Sequence, residues 1–258
     1  MHSPRQAIRI FISSPGDVVE ERELARKVIE QLRRRYSGRL DLKAVLWEDM
    51  PLEADISFTE GIDLVLSDSG IDIAVFILWS RLGSPTGAFF ARPDGSEYRS
   101  GTEREFALML AARRQSGGVR PNILVYARAD ESTFEERLRG QPTDAKSQLL
   151  DQKRLVEGFI REEFQDPERR TNIRAYHSFD RPQTFSQRLR VHLAELLDGI
   201  AGDGGGEPLW NVDEQGPPFL GLAAYQFEHA AIFLGVKMRS SPFGRRCASR
   251  PAGAARLS

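Results

Sequence analysis

Ile71–Trp79, with the sequence IDIAVFILW, is apolar at every position except Asp72, and a polar loop separates it from Ser100–Ala107, with the sequence SGTEREFA. A short apolar run without alternation is typical of a parallel strand that is covered on both faces. The second stretch predicts the start of a helix with an acidic first turn. In open α/β sheets, ligands bind beyond the carboxyl ends of the strands. The two stretches therefore predict an α/β fold that presents Glu105 at the ligand-binding edge.

Four further runs rich in β-branched and aromatic residues alternate with stretches of helical apolar spacing. The predicted strands are Ala7–Ile12, Leu40–Trp47, Ile71–Trp79, Ile123–Tyr126 and Ile173–Tyr176. The predicted helices begin near Asp17, Ser57, Thr102, Asp144 and Pro182. Five strands that alternate with helices imply a parallel sheet with right-handed crossovers. We therefore predict a flavodoxin-like, three-layer α/β domain over residues 1–200.

The composition changes after this domain. Residues 201–216 begin with a cluster of glycines and predict a linker. A partly apolar segment follows at residues 217–235. Residues 236–258 contain six basic and no acidic residues and lack periodicity, which predicts a disordered basic tail. The C-terminal extension is thus expected to be short and irregular.

Composition favours a cytoplasmic globular protein. The hydrophobic fraction of 40% and the charged fraction of 28% are ordinary for that class. Cys247 is the only cysteine, which excludes an internal disulfide and a cysteine-based zinc site. No apolar run approaches the roughly 20 residues that span a bilayer, so no membrane association is expected. Outside the basic tail, acidic residues outnumber basic ones, so no nucleic-acid partner is expected either.

Glu105 has two interpretations. Thr102 and Glu105 have the spacing of a capping box, in which Thr102 is the N-cap and acidic residues suit the helix dipole. In the functional interpretation, the carboxylate lies beside the anomeric carbon of a sugar. There it would stabilise an oxocarbenium-like centre or attack it covalently. The two interpretations are compatible with each other.

The loops after the first and third strands supply further candidates. Ser13, Ser14 and Asp17 precede a helix, where backbone N–H groups could hold a phosphate or ribose; a simple turn with Asp17 as the helix cap explains them equally. Trp79 could stack on a base and Arg81 could bind a phosphate. Alternatively, Trp79 completes the core and Arg81 pairs with a surface acid.

Several common sites are excluded by their missing motifs. The chain has no Gly-x-Gly-x-x-Gly fingerprint and no phosphate-binding loop of the Walker A type, so no ATPase activity is expected. Its four histidines show no metal-ligand spacing, so no metal site is predicted. No cofactor is expected, although NAD or another nucleotide remains a candidate substrate.

Four motifs in the same order resemble those of a bacterial domain catalogued as domain of unknown function 4062. They are Ile10–Asp17, Trp47–Asp49, Ile77–Gly83 and Ser100–Glu103, and the resemblance covers roughly residues 7–198. That family is regarded as a distant relative of the TIR domain. The resemblance therefore implies a TIR-like fold.

The same resemblance implies a signalling function. Such domains often precede a STAND-type NTPase, and residues 217–235 look like the opening of one. After Gly235 the chain departs from that pattern, which predicts a truncated or frameshifted end. The first hypothesis is therefore an N-terminal effector module, as in bacterial defence, that acts through protein partners or self-association.

The TIR relationship also implies an alternative, cleavage of the N-glycosidic bond of NAD or a related nucleotide. Gly101-Thr102-x-x-Glu105 is similar to the arrangement in nucleoside deoxyribosyltransferases, so Glu105 is the predicted catalytic carboxylate and Glu103 the second choice. The nucleotide would contact Ser13, Ser14, Asp17, Trp79 and Arg81. The sequence favours the signalling hypothesis, because no complete catalytic constellation can be assembled from it.

Overall fold

The structure is a computed structural model that describes residues 5–49, 70–86, 90–92, 94–166, 168–169 and 171–202. Four predicted features lie outside the described residues. They are the helix near Ser57, most of the linker, the segment at 217–235 and the basic tail.

Five strands form one parallel sheet, as predicted. The strands are β1 (Gln6–Ser13), β2 (Leu40–Val45), β3 (Ile73–Leu78), β4 (Asn122–Arg128) and β5 (His177–Phe179). Their order is β2-β1-β3-β4-β5, and every neighbouring pair is parallel. Every residue of β3 is buried, as its unbroken apolar run predicted. The predicted α/β class and five-stranded parallel sheet are confirmed.

Helices pack on this sheet and complete a flavodoxin-like, three-layer arrangement. They are α1 (Val19–Arg35), α2 (Gly101–Gln115), α3 (Glu131–Leu138), α4 (Thr143–Phe164) and α5 (Pro182–Ile200), with a short 3-10 turn at Trp47–Asp49. Among the described residues, no helix combines the length and apolarity needed to cross a membrane. On one face of the sheet, α1 contacts α5.

An aromatic chain joins the sheet to the helices on its other face. Phe11 of β1 contacts Phe76 of β3, which contacts Phe106 of α2, and Phe106 contacts Phe159 of α4. All three pairs meet edge to face, with ring centroids 6.4, 5.3 and 5.3 Å apart. Such pairs stabilise a core beyond their buried area. Through Phe106, this packing fixes the start of α2 against the middle of the sheet.

Two details of the prediction are wrong. The fifth strand is His177–Phe179 and not Ile173–Tyr176. Ile173 is 55% exposed, and its backbone N–H donates to Phe164 at the end of α4, so its main chain is already engaged outside the sheet. Helix α3 was not predicted, because Phe134 is its one buried residue and a single apolar position makes no periodic stripe.

Candidate functional site

The candidate residues gather at one edge of the sheet, which we call the carboxyl edge because all five strands end there. Parallel strands bring their carboxyl ends together, so residues distant in sequence become neighbours. Ser13 ends β1, Trp79 to Arg81 follow β3, and Arg128 ends β4.

Ser13 and Glu105 are in direct contact at the carboxyl edge. The hydroxyl of Ser13 donates a hydrogen bond to Oε2 of Glu105 across 2.5 Å, which is the length of a charge-assisted O–H···O bond. Ser13 is 2% exposed, whereas Glu105 is half-buried. The fold thus joins the predicted catalytic carboxylate to a residue predicted to contact the same ligand.

Glu105 does not belong to the predicted capping box. Ser100 is the N-cap of α2, and its hydroxyl accepts from the backbone N–H of Glu103 at 3.2 Å while donating to the carbonyl of Leu82 at 2.9 Å. Thr102 lies inside the first helical turn, so the box of Thr102 and Glu105 is wrong. The helix start therefore no longer accounts for the acid at Glu105.

Glu103, the second choice for catalysis, is locked in an ionic cluster. Its carboxylate lies 2.7 Å from the guanidinium of Arg92 and 2.5 Å from that of Arg99, and it accepts from the backbone N–H of Arg99 at 2.6 Å. Burial acts to raise the pKa of Glu103, but these hydrogen bonds and charges outweigh it and lower that pKa. With 2% exposure, Glu103 holds the preceding loop to α2 through these bonds.

Asp17 joins two loops and does not cap a helix. Val18 is the N-cap of α1, with no side-chain cap, so the predicted cap at Asp17 is wrong. Instead, Oδ2 of Asp17 accepts from the backbone N–H and the hydroxyl of Ser80 at 2.8 and 2.9 Å. Its Oδ1 is buried and has no hydrogen-bond partner in the described part of the chain. A ligand would reach that oxygen only if these loops moved.

Arg22, which the sequence did not single out, holds the loop after β1. Its guanidinium donates to the hydroxyl of Ser14 at 2.7 Å, to the carbonyls of Ser14 and Pro15 at 3.1 and 2.9 Å, and to the carboxylate of Glu48. The Ser14 hydroxyl acts as an acceptor here, so its own proton remains to be donated to a ligand. The motif Trp47–Asp49 drew attention to this region in the sequence, but the sequence assigned no role to Glu48, the partner of Arg22.

Trp79 is enclosed. It is 6% exposed, and the guanidinium of Arg128 lies 4.4 Å from its ring centroid. Arg128 also pairs with the buried Glu21 at 3.0 Å and with Asp130 at 2.7 Å. These surroundings match the interpretation in which Trp79 completes the core. With 6% of its surface exposed, Trp79 has little ring area left for stacking on a base.

Arg81 differs from its neighbours because its side chain is half-exposed. Within the described ranges, that side chain makes neither an ion pair nor a hydrogen bond. It lines a cavity of about 500 Å³ together with Arg137 of α3, a residue that sequence reasoning missed. The interpretation of Arg81 as the partner of a surface acid is therefore not matched by any described carboxylate.

The described histidines form a pair on the flank of the sheet. The rings of His177 and His192 lie 4.2 Å apart, and Nδ1 of His192 is 2.7 Å from the hydroxyl of Tyr126. Burial lowers the pKa of both histidines. In the part of the chain that the structure describes, no group of three or more histidine, cysteine or acidic side chains could hold a metal ion.

Comparison with known proteins adds no assignment. No protein-family model and no curated protein matches the chain. What the carboxyl edge can do follows from its own side chains.

Proposed function

We propose that the carboxyl edge binds a ribose-containing nucleotide and cleaves its N-glycosidic bond, with NAD or a related nucleotide as the substrate. The contact between Ser13 and Glu105 carries this proposal. Glu105 is a half-buried acid at the edge of the sheet where ligands bind in such folds, and Ser100, not Thr102, caps the helix that carries it.

The chemistry requires few protein groups. When the bond between ribose and nicotinamide breaks, its electron pair neutralises the pyridinium ring, so the leaving group needs no proton. Positive charge develops at the anomeric carbon, where the Glu105 carboxylate would stabilise it or form a transient ester. Water then adds to that carbon and releases a proton. A single well-oriented carboxylate is therefore enough for this reaction.

Ser13 and Arg22 are positioning residues in this scheme. Ser13 fixes the direction of the Glu105 carboxylate through their hydrogen bond. Arg22 fixes the loop that carries Ser14, whose hydroxyl would donate to ribose. Preorganised donors of this kind act without rearranging during the reaction.

A second candidate is an effector module that works through protein partners or self-association. The observation that favours it is the internal pairing of much of the carboxyl edge. Trp79 is covered by Arg128, and Glu103 is held by two arginines, so these side chains are already engaged within the chain. In this role, the domain would be the signalling part of a larger regulatory protein.

The decisive experiment incubates the full chain with NAD and follows nicotinamide release by chromatography. We expect Glu105→Gln to lose at least about 10²-fold in rate, since it removes the charge that stabilises the transition state. Ser13→Ala is expected to lower kcat more than it raises KM, because Ser13 orients the carboxylate. Glu135→Gln, an exposed acid on α3, is the control with the same loss of charge.

The outcomes separate the two candidates. If the wild type releases no nicotinamide, even when artificially oligomerised, the cleavage proposal fails. Equal release by the wild type and Glu105→Gln would show that Glu105 is not the catalyst. The interaction candidate, in turn, is contradicted by a chain that stays monomeric at all concentrations and retains no protein from its own cell extract.

A further inference from the structure

A cavity of about 500 Å³ opens at the carboxyl edge between the loop after β3 and helices α3 and α4. This volume is in the range of small-molecule pockets. Its charged and amide side chains come from the loop after β3, from α3, from the connection between α3 and α4, and from α4 itself. They are Arg81, Arg137, Gln141, Gln148, Asp151 and Gln152.

The two arginines of this cavity carry uncompensated charge. Neither guanidinium has an ion pair or a hydrogen bond to the described residues, although both side chains are partly buried. Arg137 lies 5.7 Å from the ring centroid of Trp79, on which Arg128 also packs. The contrast with Arg128 is informative, because Arg128 has two carboxylate partners.

The remaining lining groups favour an anion. Among the described lining residues, Asp151 supplies the one carboxylate, and it pairs with Arg154 at 3.0 Å. The side-chain oxygen of Gln152 accepts from the backbone N–H of Leu82 at 3.3 Å, which leaves its Nε2 group as a donor. The cavity therefore presents two guanidinium groups and an amide donor against one carboxylate that is already paired.

We infer that this cavity binds a diphosphate group. Guanidinium groups match phosphate oxygens in a bidentate geometry, and two of them suit a diphosphate better than a single phosphate. The inference rests on the proposed function in one respect, since the diphosphate would be that of the nucleotide whose ribose meets Glu105. Ser13, which contacts Glu105, and Arg81 lie at the same edge of the sheet, because Ser13 pairs in register with Phe76 of β3 and Arg81 follows the end of that strand.

The test measures binding of inorganic pyrophosphate to the full chain by titration calorimetry at low salt. We expect the double variant Arg81→Gln/Arg137→Gln to bind pyrophosphate at least about tenfold more weakly than the wild type, because each of its two substitutions removes a charge-assisted contact. Arg33→Gln/Arg34→Gln removes the same charge from exposed positions in the last turn of α1. Helix α1 runs back from the carboxyl edge, so this control should bind pyrophosphate like the wild type.

Arg81→Gln alone keeps the test valid if loss of Arg137 disturbs the packing on Trp79. The Arg81 side chain bonds no described residue, so circular dichroism should show an unchanged fold for this variant. Its pyrophosphate binding should nevertheless be weaker than that of the wild type. Inorganic phosphate should bind more weakly than pyrophosphate to the wild type. No pyrophosphate binding by the wild type, or equal binding by all the arginine variants, overturns the inference.

Glu105→Gln separates this inference from the proposed function. That variant should bind pyrophosphate like the wild type, because the cavity does not include Glu105. Arginine-dependent pyrophosphate binding without any nicotinamide release would support the diphosphate site and refute the proposed reaction. Nicotinamide release with the same KM for NAD in the wild type and in Arg81→Gln/Arg137→Gln would support the reaction and refute the diphosphate site.

Discussion

Arg128→Met should destabilise the protein by an amount that depends on pH. The guanidinium of Arg128 lies 3.0 Å from the carboxylate of Glu21, which is 1% exposed, and 2.7 Å from that of Asp130. Without Arg128, Glu21 keeps a buried carboxyl group with no other cation beside it in the described part of the chain. Removing one partner of a buried ion pair usually costs about 3–5 kcal/mol.

The pKa of Glu21 sets an upper limit on the destabilisation that its unpaired charge causes in Arg128→Met. Burial raises the pKa of Glu21 above its ordinary value of 4.5, and Arg128 opposes that effect. In the variant, the carboxyl group can take up a proton instead of remaining charged. Protonating a group of pKa 4.5 at pH 7 costs about 3 kcal/mol, at 1.36 kcal/mol per pH unit. Lost packing against Trp79 adds up to about 2 kcal/mol.

The sign of the pH dependence follows directly. A carboxyl group whose pKa is higher in the folded state binds a proton first in that state, so acidification favours folding. The difference in unfolding free energy between Arg128→Met and the wild type should therefore shrink from pH 7 to pH 5, by at most about 2.7 kcal/mol, which corresponds to two pH units. Urea titrations followed by far-ultraviolet circular dichroism measure both values.

Glu21→Gln/Arg128→Met is the matched control, because it removes the buried charge together with its partner. It should recover most of the stability that Arg128→Met loses at pH 7 and should show a smaller change with pH. A deficit below about 1 kcal/mol in Arg128→Met would refute the buried-pair reasoning. A deficit that is equal at pH 7 and pH 5 would refute the role assigned to Glu21.

Three further changes test other parts of the fold. Ser100→Ala should lower the unfolding free energy by about 1–2 kcal/mol in a urea titration, since one hydroxyl both caps α2 and satisfies a loop carbonyl. Gly83→Ala should lower the unfolding free energy by about 1–3 kcal/mol in the same assay, because φ is +120° and a Cβ would lie 3.0 Å from the hydroxyl of Thr102. Gly16→Ala, whose Cβ would meet nothing within 4 Å, should change it by less than about 0.5 kcal/mol. His177 and His192 have lowered pKa values in the folded state, so the unfolded state takes up protons first and stability should fall as the pH drops below about 6.5. Urea midpoints between pH 7.5 and 5.5 should fall less in His177→Gln/His192→Gln, and equal slopes would contradict this assignment.

The strands could be predicted because their signal is local. Ile71–Trp79 is covered on both faces, so its apolar run needs no knowledge of its neighbours. Ile173–Tyr176 misled the prediction, since a short β-branched and aromatic run does not reveal that its backbone bonds to the end of α4. The three residues of β5 are too few for a period of two to stand out.

The start of α2 shows where local reasoning ends. The sequence SGTERE contains two overlapping boxes, Ser100 with Glu103 and Thr102 with Glu105, and their spacing is identical. The structure uses Ser100 as the N-cap: its hydroxyl accepts from the backbone N–H of Glu103 and donates to the carbonyl of Leu82 across 18 positions of sequence. No pattern within α2 contains that partner. The same holds for Arg128 and Glu21, which pair across 107 positions.

These long-range pairs divide the carboxyl edge into two sets of charged groups. Arg22, Glu103 and Arg128 each meet oppositely charged groups within the chain, so a ligand would have to break existing ion pairs to use them. Arg81 and Arg137 carry charge that no described carboxylate neutralises. Burying part of such a side chain costs solvation that folding does not return. The binding of an anion would return it, and for that reason a mutation of Arg81 or Arg137 tests ligand binding at this edge more directly than a mutation of the paired groups.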